Sequence, residues 1–393
     1  MDSTESELRL GTASAAPGEL DRGWLDIADL PTGTPERLPV IVANGSEPGP
    51  TLWLTGGVHG DEATGVAVVL DTMAALSRPD PDGTTPLDTA SGGIVAVPVV
   101  SPAGLRRNAR HTYYDDEDPN RHFPDADVES ARPPTLQERI DTRLYEVIVG
   151  SADENDNLST DLVAADALID CHTAGVDSEP FAIRDRVLYG DRRTEDGAHE
   201  LAGTLDAIVD AFGFPTLTEY PAAEYVEENL QRSLAGAVLN EAGIPAFTAE
   251  LGSHSVVADR LATGGVAGAV AVAFELGILD SSRISDRVGS PSDYIEPSPV
   301  EFPVRRYRGP TSDVAGLVRH RADAGDRFTT GDTLAEVVAA NGTPVETIRA
   351  DHDGYVIART EGLAVYEGDP ITSLAIRDDG DLVVPRENDD GSE

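Results

Sequence analysis

Short apolar runs alternate with helix-periodic segments along most of this 393-residue chain. Residues 37–43 and 51–55 are rich in Val, Ile, Leu and Trp and are bounded by Gly and Pro, as strands are. Residues 62–76 space their apolar side chains for one face of a helix. Further strands are predicted at 94–99, 167–171 and 245–251, and further helices at 136–149, 198–212, 230–242 and 259–279. Strands that alternate with helices predict an α/β fold whose sheet is covered on both faces.

Composition divides the chain into five parts. Residues 1–23 form an acidic N-terminal segment, and residues 24–280 carry the alternating α/β pattern of one domain. Residues 281–302 are rich in Ser, Pro and Asp, which predicts a linker. Residues 303–378 show only short β-type runs, and residues 379–393 form an acidic tail.

The β-rich part repeats itself. The run from Gly316 to Asp332 has the same form as the run from Gly354 to Asp369, and Asn341-Gly342 predicts a hairpin turn between them. This pattern resembles the barrel-sandwich hybrid of biotinyl and lipoyl carrier domains. Such carriers need a Lys at the hairpin, and the sequence contains none. We therefore expect a structural or assembly domain here.

Charge narrows the range of partners. The chain has 71 acidic residues against 29 basic ones and a net charge of −42, and every basic residue is Arg. A surface with this much negative charge repels phosphate backbones and anionic lipid headgroups. We therefore expect neither nucleic acid nor a membrane as a partner. A Lys-free, strongly acidic composition resembles that of proteins from halophilic organisms.

Cysteine usage and hydropathy predict a cytoplasmic protein. The single Cys171 cannot form an intrachain disulfide, as in proteins of reducing compartments. Residues 1–23 lack the apolar centre of a signal peptide. The most apolar stretch, residues 266–278, is too short to span a bilayer.

Two short motifs supply candidate metal ligands. His59 and Glu62 lie three residues apart in a glycine-rich turn between a predicted strand and a predicted helix, so both can bind one cation. At the end of another strand, alternation puts Asp170 and His172 on one face and Cys171 on the other. Two His and one Glu leave one position of a tetrahedral zinc open for water, as in catalytic sites.

The order and spacing of the chemically active residues resemble the zinc carboxypeptidase superfamily, and within it the succinylglutamate desuccinylase/aspartoacylase family. The residues that carry the resemblance are His59, Glu62, Arg110, Asn120, Arg121, His172 and Glu250. It covers about residues 50–280, and the β-rich part is similar to the second domain of that family. The resemblance implies a mixed sheet flanked by helices. It also implies one zinc ion per chain, held by His59, Glu62 and His172.

The same resemblance assigns the remaining roles. Asn120 and Arg121 match the pair that grips the substrate carboxylate, Arg110 matches the arginine that faces the scissile carbonyl, and Glu250 matches the general base. Physical chemistry is consistent with these roles, since a planar guanidinium binds a carboxylate through two parallel hydrogen bonds. A carboxylate at a strand end can accept a proton from water and return it to a leaving amine.

The expected function is hydrolysis of a small anionic N-acyl amino acid by zinc-activated water. A metallocarboxypeptidase acting on short peptides is the alternative, and a non-catalytic binding protein is a third reading. A large apolar pocket favours the peptidase, whereas extra cationic groups around a small pocket favour the deacylase. Arg184 and Arg232 are candidates for a second carboxylate-binding cation, and His254 is a further pocket candidate. The sequence leaves the oligomeric state open, a homo-oligomer included.

Overall fold

The computed structural model describes residues 7–112, 117–125, 132–150, 164–280 and 282–386. The helices of these residues are α1 Ala63–Ser77, α2 Pro102–Arg107, α3 Leu136–Val149, α4 Glu195–Phe212, α5 Ala222–Glu227, α6 Leu234–Ala237, α7 Asp259–Glu275 and α8 Ser282–Val288. The strands before the β-rich part are β1 Leu8–Leu10, β2 Ala13–Ala15, β3 Leu20–Asp29, β4 Pro35–Asn44, β5 Glu47–Gly56, β6 Ser91–Val97, β7 Ala167–Ala174, β8 Phe181–Arg184, β9 Val187–Tyr189, β10 Thr216–Thr218 and β11 Ala246–Ser253. The later strands are β12 Val304–Arg308, β13 Gly316–His320, β14 Arg327–Phe328, β15 Thr333–Val338, β16 Pro344–Arg349, β17 Gly354–Arg359, β18 Ala364–Val365, β19 Thr372–Arg377 and β20 Val383–Pro385. In the described part of the chain, no helix has the length and apolarity needed to cross a membrane.

Twelve strands form one mixed sheet in the order β3-β4-β6-β5-β7-β11-β8-β10-β12-β19-β17-β14. Strands β6, β5, β7 and β11 run parallel to one another, and β8 is antiparallel to β11. Trp53 on β5 and Ile169 on β7 are fully buried, as expected in strands covered on both faces. Helix α1 packs against β7 and α7, and α6 packs against β7 and β11. The predicted α/β fold with a mixed sheet is confirmed.

Capping residues explain where several helices begin and end. Thr135 and Glu138 form a reciprocal capping box, and Gly150 ends α3 at a φ of 74°, so the predicted helix 136–149 is confirmed. The predicted helix 230–242 is wrong as one continuous element. Ser233 interrupts it, because its hydroxyl accepts a hydrogen bond from the Gly236 N–H and starts α6 there.

Two glycines allow close packing after β5. A Cβ on Gly60 would lie 1.9 Å from the carbonyl carbon of Gly104 in α2, and a Cβ on Gly65 would lie 2.2 Å from the Cys171 carbonyl oxygen. Cys171 itself is buried. Because β5, β7 and β11 are parallel, their carboxyl ends meet at one edge of the sheet, where α/β proteins place ligands.

The first and last described strands pack against the α/β part. Strands β1 and β2, within the predicted acidic N-terminal segment, form a hairpin, and Leu10 and Ala15 on these strands are buried in the main core. Helix α8 lies within the predicted linker. Strand β20, in the predicted acidic tail, pairs in parallel with β9. Residues 387–393 of that tail lie outside the described residues.

The β-rich part continues the main sheet. Strand β12 pairs in parallel with β10, and β19, β17 and β14 follow it. Strands β16, β15, β13 and β18 form a separate four-stranded sheet. The two repeats exchange strands, since β14 pairs with β17 and β18 pairs with β13. Gly342, at a φ of 85°, lies in the turn between β15 and β16, which confirms the predicted hairpin.

Candidate active site

A cavity of about 660 Å³ opens where β5, β7 and β11 end. All seven residues singled out from the sequence line it, although they come from widely separated parts of the chain. They are His59, Glu62, Arg110, Asn120, Arg121, His172 and Glu250. The fold therefore brings together the complete set that sequence reasoning proposed.

Three ligand atoms converge at the base of this cavity. The side chains of His59, Glu62 and His172 are all buried, and one ligand atom from each lies within 4.8 Å of the others. Glu62 Oε1 is 2.7 Å from His59 Nδ1, and Glu62 Oε2 is 2.8 Å from His172 Nδ1. Both imidazoles thus direct the same nitrogen, Nδ1, towards the Glu62 carboxylate.

Each imidazole is oriented by a second carboxylate behind it. His172 Nε2 is 2.7 Å from Asp170 Oδ2, and Asp170 in turn accepts a hydrogen bond from the Thr55 hydroxyl. His59 Nε2 is 2.9 Å from Asp118 Oδ1. Bonds of this kind place the proton on Nε2 and leave the Nδ1 lone pair for a metal. The donor set and its supporting carboxylates therefore fit a metal ion such as zinc.

Arg110 and Asp118 form the wall above the ligand atoms. Arg110 Nη2 donates to Asp118 Oδ2 over 2.8 Å, and Arg110 Nη1 is 3.3 Å from Glu62 Oε1. Burial raises the pKa of the Asp118 carboxyl, but the hydrogen bond and charge of His59 and the charge of Arg110 outweigh it and hold that pKa well below its usual range. Asp118 therefore carries a full negative charge between His59 and Arg110.

Asn120 and Arg121 lie on a short 3₁₀ turn, Pro119–Arg121, and the Asp118 carboxylate accepts a hydrogen bond from the Asn120 N–H at its start. Asn120 Oδ1 accepts a hydrogen bond from the Leu234 N–H, which fixes the side-chain amide. Arg121 Nη1 donates to the Asn120 carbonyl oxygen over 2.7 Å. Within the described residues, Arg121 forms no ion pair, so its guanidinium can receive a carboxylate from a ligand.

Glu250 lies on β11 directly opposite His172 of β7. Its Oε2 atom is buried and has no hydrogen-bond partner among the described residues. Burial raises the pKa of the Glu250 carboxyl above its usual range, and the nearby Glu62 charge adds to this effect. A carboxylate in such surroundings is a better proton acceptor than one in water.

A family model for the succinylglutamate desuccinylase/aspartoacylase catalytic domain matches residues 48–273 of this chain. The chain belongs to this family. The matched segment contains every residue of the site described above. The family is named for enzymes that remove acyl groups by hydrolysis, so this member is placed among the deacylating hydrolases. No curated protein sequence matches the chain.

Solved structures of similar fold span nearly the whole chain. A succinylglutamate desuccinylase from a Silicibacter species is 21% identical, with a TM-score of 0.66 over 94% of this chain and 99% of that one. A succinylglutamate desuccinylase/aspartoacylase from Rhodobacter sphaeroides is 20% identical, with a TM-score of 0.68 over 96% and 98%. The product-bound ectoine utilization protein EutE from Ruegeria pomeroyi is 22% identical, with a TM-score of 0.64 over 91% and 95%. These likenesses show a shared fold that includes the β-rich part.

Sequence reasoning missed the far wall of the cavity in this family member. Asp185, Glu219 and Arg306 line that wall, and Arg306 comes from the β-rich part. No local motif marks them, because three strands must pair before they become neighbours. The two arginines proposed as a second cation bond elsewhere, Arg184 to Asp206 and Arg232 to the Phe123 carbonyl oxygen.

His254 lies at the mouth of the cavity. Its Nε2 is 2.7 Å from Glu361 Oε1, so this pair joins the loop after β11 to the β-rich part. His254 lines the same cavity as the metal ligands. Its ring nitrogens bond to Ser255 and Glu361, whereas His59 and His172 each direct one ring nitrogen towards Glu62.

Proposed function

We propose that this family member is a zinc-dependent deacylase that hydrolyses the amide bond of a small N-acyl amino acid. One observation carries the proposal: a three-donor site, a carboxylate with a buried oxygen and an arginine that forms no ion pair within the described residues share a single cavity. Amide hydrolysis of such a substrate needs a group for the carbonyl, a proton acceptor and a carboxylate anchor. The cavity provides candidates for all three.

The donor set supports zinc as the metal. Two imidazole nitrogens and one carboxylate are the ligands of catalytic zinc sites that keep a fourth position open. When bound, zinc supplies polarisation of the scissile carbonyl and a water of lowered pKa. We assign His59, Glu62 and His172 as the ligands of one ion per chain.

Glu250 is the proposed general base. Its unpartnered Oε2 atom accepts a proton from the attacking water and then delivers that proton to the leaving amide nitrogen. The register of β11 with β7 puts Glu250 beside His172, so the acceptor lies next to the metal site. A second proton-transfer residue is not needed.

Arg121 and Asn120 are the proposed anchor for the substrate α-carboxylate. Two parallel N–H groups of the Arg121 guanidinium fix the carboxylate plane. The Asn120 side-chain NH₂ group adds a donor, because the Leu234 N–H bonds only to the Asn120 Oδ1 atom. Arg110 stands beside the metal ligands and donates to the carbonyl oxygen in this proposal. Together these contacts set the scissile bond against Glu250.

Charge in the cavity favours a deacylase over the alternative carboxypeptidase. The lining includes Arg110, Arg121, Arg306, Arg308 and Arg359. The lining also includes Asp61, Glu62, Asp118, Asp185, Glu219, Glu250 and Glu361. Such a lining, with charges of both signs, suits a small charged substrate, whereas a broad apolar pocket would suit a peptide side chain. We also infer from the acidic, Lys-free composition that the protein works in the cytoplasm of a salt-adapted cell, so assays belong at high salt.

A substrate panel with metal analysis on the same sample tests the proposal. N-acetyl, N-succinyl and N-acetyl-aspartyl substrates are compared with short peptides at high salt. We expect N-acyl amino acids to be hydrolysed at least ten-fold faster than peptides. Faster peptide hydrolysis would establish the carboxypeptidase instead. A zinc-loaded protein inactive on both classes would be a binding protein.

A further inference from the structure

Three charged side chains form a row across the far wall of the cavity. Strand β10 pairs with β8 so that Thr218 lies beside Arg184, and with β12 so that Thr218 also lies beside Arg305. One residue further along, the row contains Asp185, Glu219 and Arg306. All three line the cavity, which extends the site from the metal ligands to the β-rich part.

Alternation along β8 explains why Asp185 faces the cavity. Phe181, Ile183 and Asp185 all line it, whereas Arg184 points to the other side and pairs with Asp206 of α4. Asp185 is only 3% exposed. A buried carboxyl thus lies in the wall of the substrate cavity.

The two acidic groups of this row differ in their partners. Arg306 donates to Glu219 over 2.7 Å, so these two charges satisfy each other. Within the described residues, Asp185 forms no ion pair, and its interacting neighbour is the Tyr225 hydroxyl. Burial raises the pKa of Asp185 to about 8, and the Glu219 charge contributes to this shift. Among the described residues, Asp185 is therefore the acidic group of the row that forms no ion pair.

The strand register gives the depth of this carboxyl. Glu250 lies opposite Phe181, and Asp185 is four residues further along the chain, or about 13 Å of extended strand. A lysine-length side chain spans about 7 Å from α-nitrogen to terminal nitrogen, and one hydrogen bond of about 3 Å at each end completes the same distance. A leaving amino acid whose nitrogen lies at Glu250 can therefore place a terminal ammonium at Asp185.

We propose that Asp185 binds the side-chain ammonium of the leaving amino acid, so that the substrate is an N-acylated amino acid with a long cationic side chain. The inference rests on the proposed function, because it takes Glu250 and Arg121 to fix the other end of the substrate. A bound ammonium would stabilise the ionised form of Asp185 and supply a counter-charge to it. A substrate with a second carboxylate would instead have to compete with Glu219 for Arg306 and lie next to Asp185.

Calorimetric titration of the zinc-loaded protein tests the inference without hydrolysis. The probes are L-ornithine, L-lysine, L-glutamate and L-norleucine, in which a methyl replaces the ornithine ammonium. We expect ornithine and lysine to bind at least ten-fold more tightly than norleucine and glutamate. If norleucine or glutamate bound as tightly as ornithine to the unaltered protein, the inference would be overturned, whatever any variant did.

Two variants locate the effect. Asp185→Asn should lose most of the difference between ornithine and norleucine, because the amide has no charge. Asp206→Asn is the matched control, an acid paired with Arg184 on the opposite side of β8, and it should keep the full difference. An undiminished difference in Asp185→Asn would overturn the assignment to Asp185.

Hydrolysis of Nα-acetyl-ornithine and Nα-acetyl-norleucine separates the two proposals. If no N-acyl amino acid is hydrolysed while ornithine still binds selectively, the proposed function fails and the ammonium site stands. If hydrolysis occurs with equal kcat/KM for the two substrates and their amino acids bind equally, the proposed function stands and the ammonium site is refuted.

Discussion

Arg306, on a strand of the β-rich part, donates a hydrogen bond of 2.7 Å to Glu219, which follows strand β10 of the α/β part. Glu219 is almost fully buried, and the guanidinium also stacks over the Tyr220 ring at 5.2 Å. The β-rich part therefore completes the wall of the cavity as well as extending the sheet. The β-rich part, which lacks the lysine of a carrier domain, thus has a structural role in this cavity.

Removing one partner of this pair should be costly. Arg306→Met leaves the Glu219 carboxylate buried and without its cation, so we expect the free energy of unfolding to fall by about 2–5 kcal/mol. Urea unfolding at constant salt measures this, and the double variant Arg306→Met/Glu219→Gln should recover part of the loss. Arg260→Met, which breaks an exposed pair with Glu296, should cost less than about 1 kcal/mol. Equal losses in the two single variants would contradict the prediction.

Metal binding should follow the assigned ligands and their supporting carboxylates. His172→Ala should abolish stoichiometric zinc, since two donors remain. Asp170→Asn should weaken zinc affinity by about 10- to 100-fold. The neutral amide is a weaker acceptor for the His172 Nε2–H than the carboxylate, so it holds the ring less firmly with Nδ1 free for the metal. Competition with a chelator measures both. His254→Ala, at the mouth of the same cavity, should keep full zinc content, and zinc loss there would require another ligand set.

Glu250→Gln should separate chemistry from binding. The amide keeps the shape of the side chain but cannot accept a proton, so turnover should fall by about 10²- to 10⁴-fold with little change in zinc content. Steady-state kinetics and metal analysis on the same sample are required. Activity within a few-fold of the unaltered protein would mean that another group is the base, and His254 would then be the first to test.

Arg121→Lys should impair anchoring although the charge is retained. An ammonium cannot form the two parallel bonds that fix a carboxylate, so we expect KM for an N-acyl amino acid to rise at least ten-fold. Arg260→Lys is the matched control on the surface. Unchanged kinetic constants in Arg121→Lys would remove this residue from the anchor.

The sequence predicted the metal-binding end of the site far better than its opposite wall. His59 and Glu62 lie in the turn after β5, and His172 lies near the end of β7, so local pattern and parallel pairing were enough to bring them together. Arg306 becomes a neighbour of Glu219 only after β12 joins β10, and the paired residues Thr218 and Arg305 of these two strands are 87 positions apart in sequence. Strand β10 has three residues and β12 has five, which is too short to show a strong pattern.

Helix prediction succeeded and failed for local reasons. Leu136–Val149 has a capping box before it and a glycine after it, which fix both ends. The segment 230–242 has an apolar helical period but contains Ser233 and Gly236. A Cβ on Gly236 would lie 2.3 Å from the Leu230 carbonyl oxygen, so the chain packs too tightly there for a regular helix of larger residues. Hydrophobic period alone does not reveal such a contact.

The pH dependence of stability tests the state of Asp185. Its pKa rises from an ordinary 3.8 to about 8 in the folded protein, through burial and the Glu219 charge, opposed by Tyr225, Arg306 and Arg121. Between these two values the folded state holds a proton that the unfolded state has released. Stability conferred by this group is therefore lost as pH rises through that window, at up to about 1.4 kcal/mol per pH unit.

Asp185→Asn has no such proton, so its stability relative to the unaltered protein should rise by several kcal/mol between pH 4 and pH 8 and change little above that. Urea unfolding at a series of pH values and constant salt measures the difference, in which the titration of all other groups cancels. Asp206→Asn should run parallel to the unaltered protein, because its carboxylate is half exposed and paired with Arg184. Parallel curves for Asp185→Asn as well would show that Asp185 is ionised throughout, and the cavity wall would then carry its full negative charge at neutral pH.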